Sequence, residues 1–416
     1  MKAFLFFPVL ALFSQSAGGK ESFEEESVEF LTEESAYWAD GFCEWLSDDP
    51  GELYRRKKNP WISKIELNGR FHYQFGRVEG EDVRGSRFGQ SFDEFRRARI
   101  TAKVDFLKYF DLEVGSNLVN DLRSRAGPGN SLDWGHDDFD AITLGLDIGK
   151  AFGKGPFDDI KLTYGRMKLK LGDEVHTSSN DLLTIERSAI ADELGGDESR
   201  PTGGILELEK DGWTAVLGVF SNEADDNPIA NWNDGIFYYG SLEWELNKRW
   251  TLRLDHAHAD SSDANTALEY KHATAFSTIY TSKRWGFSTD LVYVENNNDD
   301  SRDPLREGSF FGGVFTPWVW LVKDRLQLVG RYQYARAEET EGFRIPNRYI
   351  RGRGFPPTTD LDGGRGDENH SFYLGLNWTL CNKNVNLLSG ISHDIVSART
   401  DNFTGTTYLF AFRTSF

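Results

Sequence analysis

Cysteine and methionine are nearly missing from this chain, with two of each in 416 residues. So few thiols exclude a disulfide-built scaffold and a cysteine-rich metal centre. Long apolar runs are missing too. Outside the extreme N-terminus no stretch approaches the roughly 18 apolar residues of a spanning helix, and the mean hydropathy is −0.52. A helical membrane protein is thereby excluded; a β-barrel is not, because its strands alternate and leave a weak hydropathy signal. Positive charge is in the minority, 47 Lys and Arg against 66 Asp and Glu for a net charge of −19, which argues against nucleic acid as a partner.

Catalytic signatures are equally scarce. There is no G-x-S-x-G and no Gly-rich phosphate loop. The eight histidines show no metal-ligand spacing with Cys or paired carboxylates. His256-Ala257-His258 comes nearest, but in a strand that spacing simply sets two imidazoles on one face. No Ser is singled out by a neighbouring base. The expectation is a protein that is not an enzyme, with no metal and no cofactor.

What is present begins with Met1-Lys2, an apolar run Ala3–Phe13 and small residues to Gly19, the pattern of a secretory signal peptide over about 1–18. Residues 19–60 read as an acidic, partly helical extension on the periplasmic side, and roughly half of the net negative charge lies in its run Glu21–Asp49. From Trp61 the pattern changes. Ile65, Leu67, Gly69, Phe71, Tyr73 and Phe75 alternate with Lys64, Glu66, Asn68, Arg70, His72 and Gln74, a period of two. About sixteen such runs follow to Phe416, most near the 9–11 residues of a tilted membrane strand. Connections alternate short (107–109, 150–157, 210–212, 247–249, 282–284, 321–324, 381–384) and long (76–93, 120–138, 172–201, 222–235, 261–267, 297–307, 339–368). Trp and Tyr crowd the strand ends as interface girdles would. The fold expected over 61–416 is all-β: a transmembrane antiparallel barrel of about 16 strands with short periplasmic turns, long outer loops and both termini periplasmic. Its setting is the outer membrane of a Gram-negative-type bacterium.

Several features invite a functional reading. A basic strand, Ile160 to Lys170, feeds the third long loop, whose middle (180–190) has helical spacing. Leu182, Ile185, Ala189 and Ile190 would be that loop's foothold on the inner wall. Inward positions mix Arg70, Arg97, Arg99, Lys103, Lys161, Arg166, Lys168, Lys170, Arg253, Arg325, Arg331 and Arg413 with Glu66, Asp105, Asp111, Glu113, Glu207, Glu209, Glu243, Glu245, Asp255 and Asp290. Such a wall either selects anions or merely solvates the lumen by cross-strand pairing. Arg344, Arg348, Arg351 and Arg353 in the seventh loop either attract anions at the outer mouth or pair with neighbouring loops. Glu295-Asn296-Asn297-Asn298-Asp299-Asp300 has the oxygens but not the spacing of a calcium loop. Cys43 and Cys381 both fall on the periplasmic side, where a disulfide can form and would pin the extension to the barrel base.

The segments Phe95-Arg96-Arg97-Ala98-Arg99-Ile100, Tyr164-Gly165-Arg166-Met167-Lys168-Leu169, Ile185-Glu186-Arg187-Ser188 and Arg200-Pro201-Thr202-Gly203-Gly204 resemble the phosphate-selective porin O and P family. The resemblance implies a trimeric, sixteen-stranded diffusion porin whose third loop folds into the channel. In its phosphate-specific members, Arg and Lys lead anions through the constriction. Here Arg97, Arg99, Arg166, Lys168, Lys170 and Arg187 would take that place. The terminal strand Tyr408–Phe416, with alternating aromatics and a final Phe416, resembles the signal read by the outer-membrane assembly machinery. Two departures stand out: Leu171-Gly172-Asp173-Glu174 replaces the family's Pro-Phe after the fifth strand, and the wall is richer in acids. The expected function is passive diffusion of small hydrophilic solutes with a modest preference for anions such as phosphate, partnered by outer-membrane lipid. The alternatives are a cation or neutral-solute preference, or a barrel that tethers the envelope.

Overall fold

The fold was read from a computed structural model, which describes residues 41–416 apart from 47, 49, 122–130, 196–199, 223–227, 234, 261–267, 269, 297–307, 345–348, 352–354, 356 and 357. The signal segment, most of the acidic extension, Asn297–Asp300, Arg348 and Arg353 lie outside the described residues.

Sixteen strands close into one antiparallel barrel. They are β1 Ile62–Glu81, β2 Arg87–Phe106, β3 Phe110–Asn117, β4 Phe139–Asp147, β5 Asp159–Arg166, β6 Thr202–Lys210, β7 Trp213–Ser221 and β8 Ile236–Asn247. The second half comprises β9 Trp250–Asp260, β10 Tyr270–Thr281, β11 Trp285–Asn296, β12 Ser309–Val322, β13 Leu326–Ala337, β14 Glu368–Leu380, β15 Val385–Ser397 and β16 Asn402–Ser415. Each strand pairs with its sequence neighbours, and β1 pairs with β16 from Arg70↔Ser415 to Glu81↔Thr404, so no long edge is left to recruit another chain. Short helices α1 Ile148–Phe152, α2 Asp173–His176 and α3 Ala189–Glu193 interrupt the connections.

The alternation sorts side chains as a membrane requires. Leu217, Leu254, Phe276, Leu291, Phe315, Leu374 and Phe410 stand exposed on the outward face, where lipid in place of water satisfies them. Between them Asp255, Ser277, Gln333, Asn369 and Thr407 are fully buried on the inward face. Trp213, Trp244, Trp285 and Trp378 ring the end with short turns, and Tyr164, Tyr238 and Tyr293 the end with long loops, all of them exposed. Asp211 and Gly212 turn β6 into β7 with φ of 48° and 81°, the paired positive values of a type I′ hairpin.

Two expectations need correction. Residues 76–93 are not a long loop: β1 and β2 run on as twenty-residue strands to a turn at 82–86. Gly76, Gly80 and Gly89 broke the hydrophobic alternation there without breaking the ladder, which pairs Gly76 with Phe92 and Gly80 with Phe88. The middle of the third loop is not a helix either. Residues 181–188 form turns, and the helices lie on either side. The reason is local: Arg413 donates to the carbonyls of Leu182, Thr184 and Ile185, and Asn377 to that of Leu183. Wall donors thus claim the acceptors an i→i−4 ladder would need.

At the seam the first strand outruns the last. β16 ends at Ser415, so β1 below Gly69 has a bare edge, and a strap strand Glu52–Arg55 fills it through Glu52↔Glu66, Tyr54↔Ile65 and Arg55↔Lys64. Upstream, residues 41–46 make a helical turn. There Leu46 is buried, its carbonyl takes a hydrogen bond from Asn384, and Cys43 is disulfide-bonded to Cys381 with Cα atoms 4.5 Å apart.

Candidate functional site

The third connection, residues 167–201, contacts the inward face on nearly every side, and its anchors are charged. On the β9–β13 side α2 begins against two wall carboxylates. Gly172 N donates to Asp255 at 2.9 Å and Asp173 N to Asp290 at 2.9 Å, both acids being almost wholly buried. The orphan N–H groups of a helix start therefore meet negative charge. Asp173 in turn meets Arg253 at 3.3 Å, and Glu174 meets Arg331 at 3.0 Å. Burial raises the Asp173 carboxyl above its ordinary range, while burial lowers the His176 imidazole, which rests 3.2 Å from Asp255. Farther along, α3 lies on an apolar landing formed by Ala257, Ala273, Val292, Phe310, Ala335 and neighbours. Small inward residues allow this approach: a Cβ on Gly312 would stand 2.5 Å from Ile190 Cδ1.

On the opposite side the loop meets arginines. A one-residue bulge shifts the pairing from His72↔Arg97 to Tyr73↔Phe95, leaving Arg96 as the extra residue. Strict alternation would aim Arg96 into lipid, at a cost of about 2–4 kcal/mol near the bilayer centre. With the bulge it turns inward to Glu186 at 3.0 Å, beside Arg97. Arg70 reaches Ser179 at 2.7 Å, and Arg99 and Arg200 converge on Asp140 at 2.9 and 2.7 Å. Arg166 donates to the carbonyls of Phe139 and Arg200, and Arg187 to those of Glu174 and Thr177. His72 and Gln74 complete the contact at Asn180 and Glu186.

The six expected constriction residues thus part company. Arg97, Arg166 and Arg187 are buried, and the last two hold backbone; Arg99 is engaged by Asp140 and Asn117. Lys170 is exposed and Lys168 half-buried. Arg96 and Arg200 were passed over in the sequence because alternation alone gives no reason to turn Arg96 inward and Arg200 lies in a loop. The FRRAR string itself, with a charge where lipid should be, is the signal that could have found Arg96.

The seventh connection joins the same assembly. Tyr349 stacks on Phe92 at 3.6 Å and bonds to Gln74 and Glu94. Arg351 pairs with Asp192, and Arg365 with Glu193 at 3.2 Å, both acids on α3. Of the expected mouth residues, Arg351 therefore pairs with a neighbouring loop, and Arg344 is half-buried beside it in sequence.

Toward the turn end the inward wall stays wet and its charges pair across strands. Lys103–Glu113 at 3.0 Å and Lys161–Asp111 at 2.9 Å keep 34–45 % of their side-chain surface exposed. A closed barrel with an apolar belt outside, a charged and hydrated wall inside and a loop across the lumen is a channel. Residues 65–244 match the family model of phosphate-selective porin O and P. The chain is an outer-membrane porin. Its resemblance to that family, read first from four short motifs, holds. The fold is similar to that of an anion-selective porin from Comamonas acidovorans, with TM-score 0.53 and 11% identity over 85% of this chain and 99% of that one. It is similar also to the outer membrane channel DcaP of Acinetobacter baumannii, with TM-score 0.50 and 11% identity over 88% and 100%. At such identity the likeness concerns the fold. No curated protein sequence matches the chain. Family and fold point to a channel rather than an enzyme, and the described residues contain no cluster of three or more His, Cys, Asp or Glu able to hold a metal.

Proposed function

We propose that this porin passes small hydrophilic solutes by diffusion and prefers anions, phosphate among them, at the section where the third loop meets β1 and β2. The observation that carries the reading is the bulge that turns Arg96 inward beside Arg97. With Arg70, Arg99, Arg187 and Arg200 close by, six arginines stand against the carboxylates Asp140, Glu186, Glu94 and Asp181. A ring with surplus positive charge in a narrow, low-dielectric section attracts anions and repels cations. The expectation that Lys168 and Lys170 extend this path belongs to the same proposal.

The test is the reversal potential of single channels in planar bilayers under a KCl gradient. The wild type is expected on the anion side, and Arg96→Gln with Arg99→Gln should move it toward zero. A cation-side potential in the wild type refutes the reading. One observation favours that second reading: near the turn end Glu209 is surrounded by the like charges of Glu207, Asp159, Asp158 and Glu245, which would gather cations at that entrance.

The orientation we propose sets the short turns and both termini in the periplasm and the long loops outside. Export would use the segment 1–18, and assembly the strand ending in Phe416. The proposed assembly is a homotrimer in outer-membrane lipid. Deleting 21–40 and finding an intact envelope would argue against a tethering role for the extension.

A further inference from the structure

Five of the eight histidines stand where a barrel has little reason to keep them. His256 and His258 on β9 share the outward face with Leu254, while Asp255 and Ala257 between them are fully buried. His272 on β10 lies opposite His258, His370 on β14 alternates with exposed Phe372, and His393 on β15 lies between exposed Ile391 and Ile395. All five are within four residues of the loop ends of their strands, at the level of Tyr238 and Tyr293. In three of them the same device fixes the ring. His256 Nδ1 meets Thr274 Oγ1, His370 Nδ1 meets Tyr332 Oη, and His393 Nδ1 meets Thr406 Oγ1, each at 2.9 Å from a neighbouring strand. Where the hydroxyl donates to Nδ1 the ring carries its proton on Nε2; in His370 that Nε2 meets Glu368 Oε1 at 3.2 Å. Meanwhile the His258 and His272 rings stack with centroids 4.4 Å apart.

We propose that the outward face of β9 and β10 at the loop end binds the phosphate of an outer-leaflet lipid head group through His256, His258 and His272. The surface beside the rings selects the occupant. Leu254, Phe276 and Leu291 lie exposed along the same wall toward the bilayer centre. The ligand is therefore apolar below and offers an anionic oxygen at ring height, as a phosphorylated lipid does. His370 and His393 repeat the device on β14 and β15. The charged neighbours are few: Glu295 is the cross-strand partner of His272, His256 is acted on by the other two imidazoles, and Lys271 adjoins His272 in sequence. Glu368 lies 3.2 Å from His370, with Arg336 4.0 Å from Glu368, and Asp394 acts on His393 from the opposite face.

The proposal rests on the orientation given above for the leaflet, but not for the chemistry, and the assay separates the two. Purified porin in detergent is offered bis-phosphorylated lipid A and its dephosphorylated form, and the retained lipid is counted by native mass spectrometry. Wild type is expected to retain the phosphorylated form about tenfold better, equivalent to about 1.4 kcal/mol. The triple variant His256→Gln, His258→Gln, His272→Gln should lose the margin while keeping the folded gel mobility and single-channel conductance of the wild type. Equal retention of the two lipids, or an unchanged margin in the variant, overturns the proposal. So does a crosslink from position 256 to a second copy of the chain in the native membrane, which would make this face a protomer contact. A wrong orientation would instead leave the phosphate margin intact and appear only in surface labelling of cells.

Discussion

Replacing Cys43 and Cys381 by alanine together removes a crosslink that spans the barrel's seam. The strap carrying Cys43 pairs with β1, whereas Cys381 lies in the β14–β15 turn, so β15, β16 and the β1–β16 seam lie between the two attachments. The barrel is therefore closed twice at its turn end, by the ladder and by a covalent loop of sequence separation 338. Chain-entropy reasoning gives roughly 6 kcal/mol for so long a loop, and measured disulfides commonly deliver about 2–4 kcal/mol. At the lower end of about 2–4 °C per kcal/mol for a large domain, that is a fall of roughly 4–8 °C in the unfolding midpoint. The double variant avoids the unpaired thiol that either single variant would leave. Folded and unfolded barrels separate on gels without boiling, so a temperature series with and without reductant reads the midpoint directly. Wild type with reductant should fall to the variant's value, and the variant should ignore reductant. If the midpoint is the same in all four samples, the staple does nothing for the seam. If only protease cleavage near residues 41–55 increases, it holds the strap alone.

The remaining expectations concern the third loop. Arg331→Met leaves Glu174 buried without its partner, at a cost of about 3–5 kcal/mol. The loop should then loosen, giving higher and noisier single-channel current, and adding Glu174→Gln should restore the quiet state. Unchanged current in the single variant would mean that the loop is held elsewhere. Gly312→Val places a Cβ 2.5 Å from Ile190 Cδ1 and 2.8 Å from the Tyr334 carbonyl. The carbonyl belongs to the neighbouring strand β13, whose ladder must shift locally, whereas the Ile190 contact is relieved when α3 leaves its landing; larger sugars should then permeate proteoliposomes, with the folded gel band showing that the barrel still forms. Normal size exclusion would show that α3 does not limit the passage.

What could be read from residues alone follows from where physical constraints are periodic. A lipid-facing wall must repeat every second residue and a bilayer fixes strand length, so sixteen runs and their alternating turns stood out. The lumen imposes no such period. There the wall acids Asp255 and Asp290, which from the sequence merely diluted a basic pore, accept the N–H groups that begin α2. Arg331 and Arg413, apparently pore-lining, hold loop carboxylate and loop carbonyls. Each such pair joins residues more than eighty positions apart in sequence, and no local pattern marks it.

The bulge at Arg96 is the instructive exception, because it breaks a rule the membrane enforces. A guanidinium on the lipid face is expensive enough that either Arg96 is not in a regular strand or the strand departs from regularity. A charge at an outward position of an otherwise strict alternation is therefore a usable mark of a bulge, and a bulge next to a lumenal site re-aims a side chain. The same argument reaches the opposite result for the histidines. They too sit at outward positions; the ladders at His256, His258, His370 and His393 stay regular, while the β10–β11 register shifts between Tyr270 and His272. A guanidinium on the lipid face demands a bulge, while the imidazoles at the loop ends stand where the lipid phosphate proposed above would meet them.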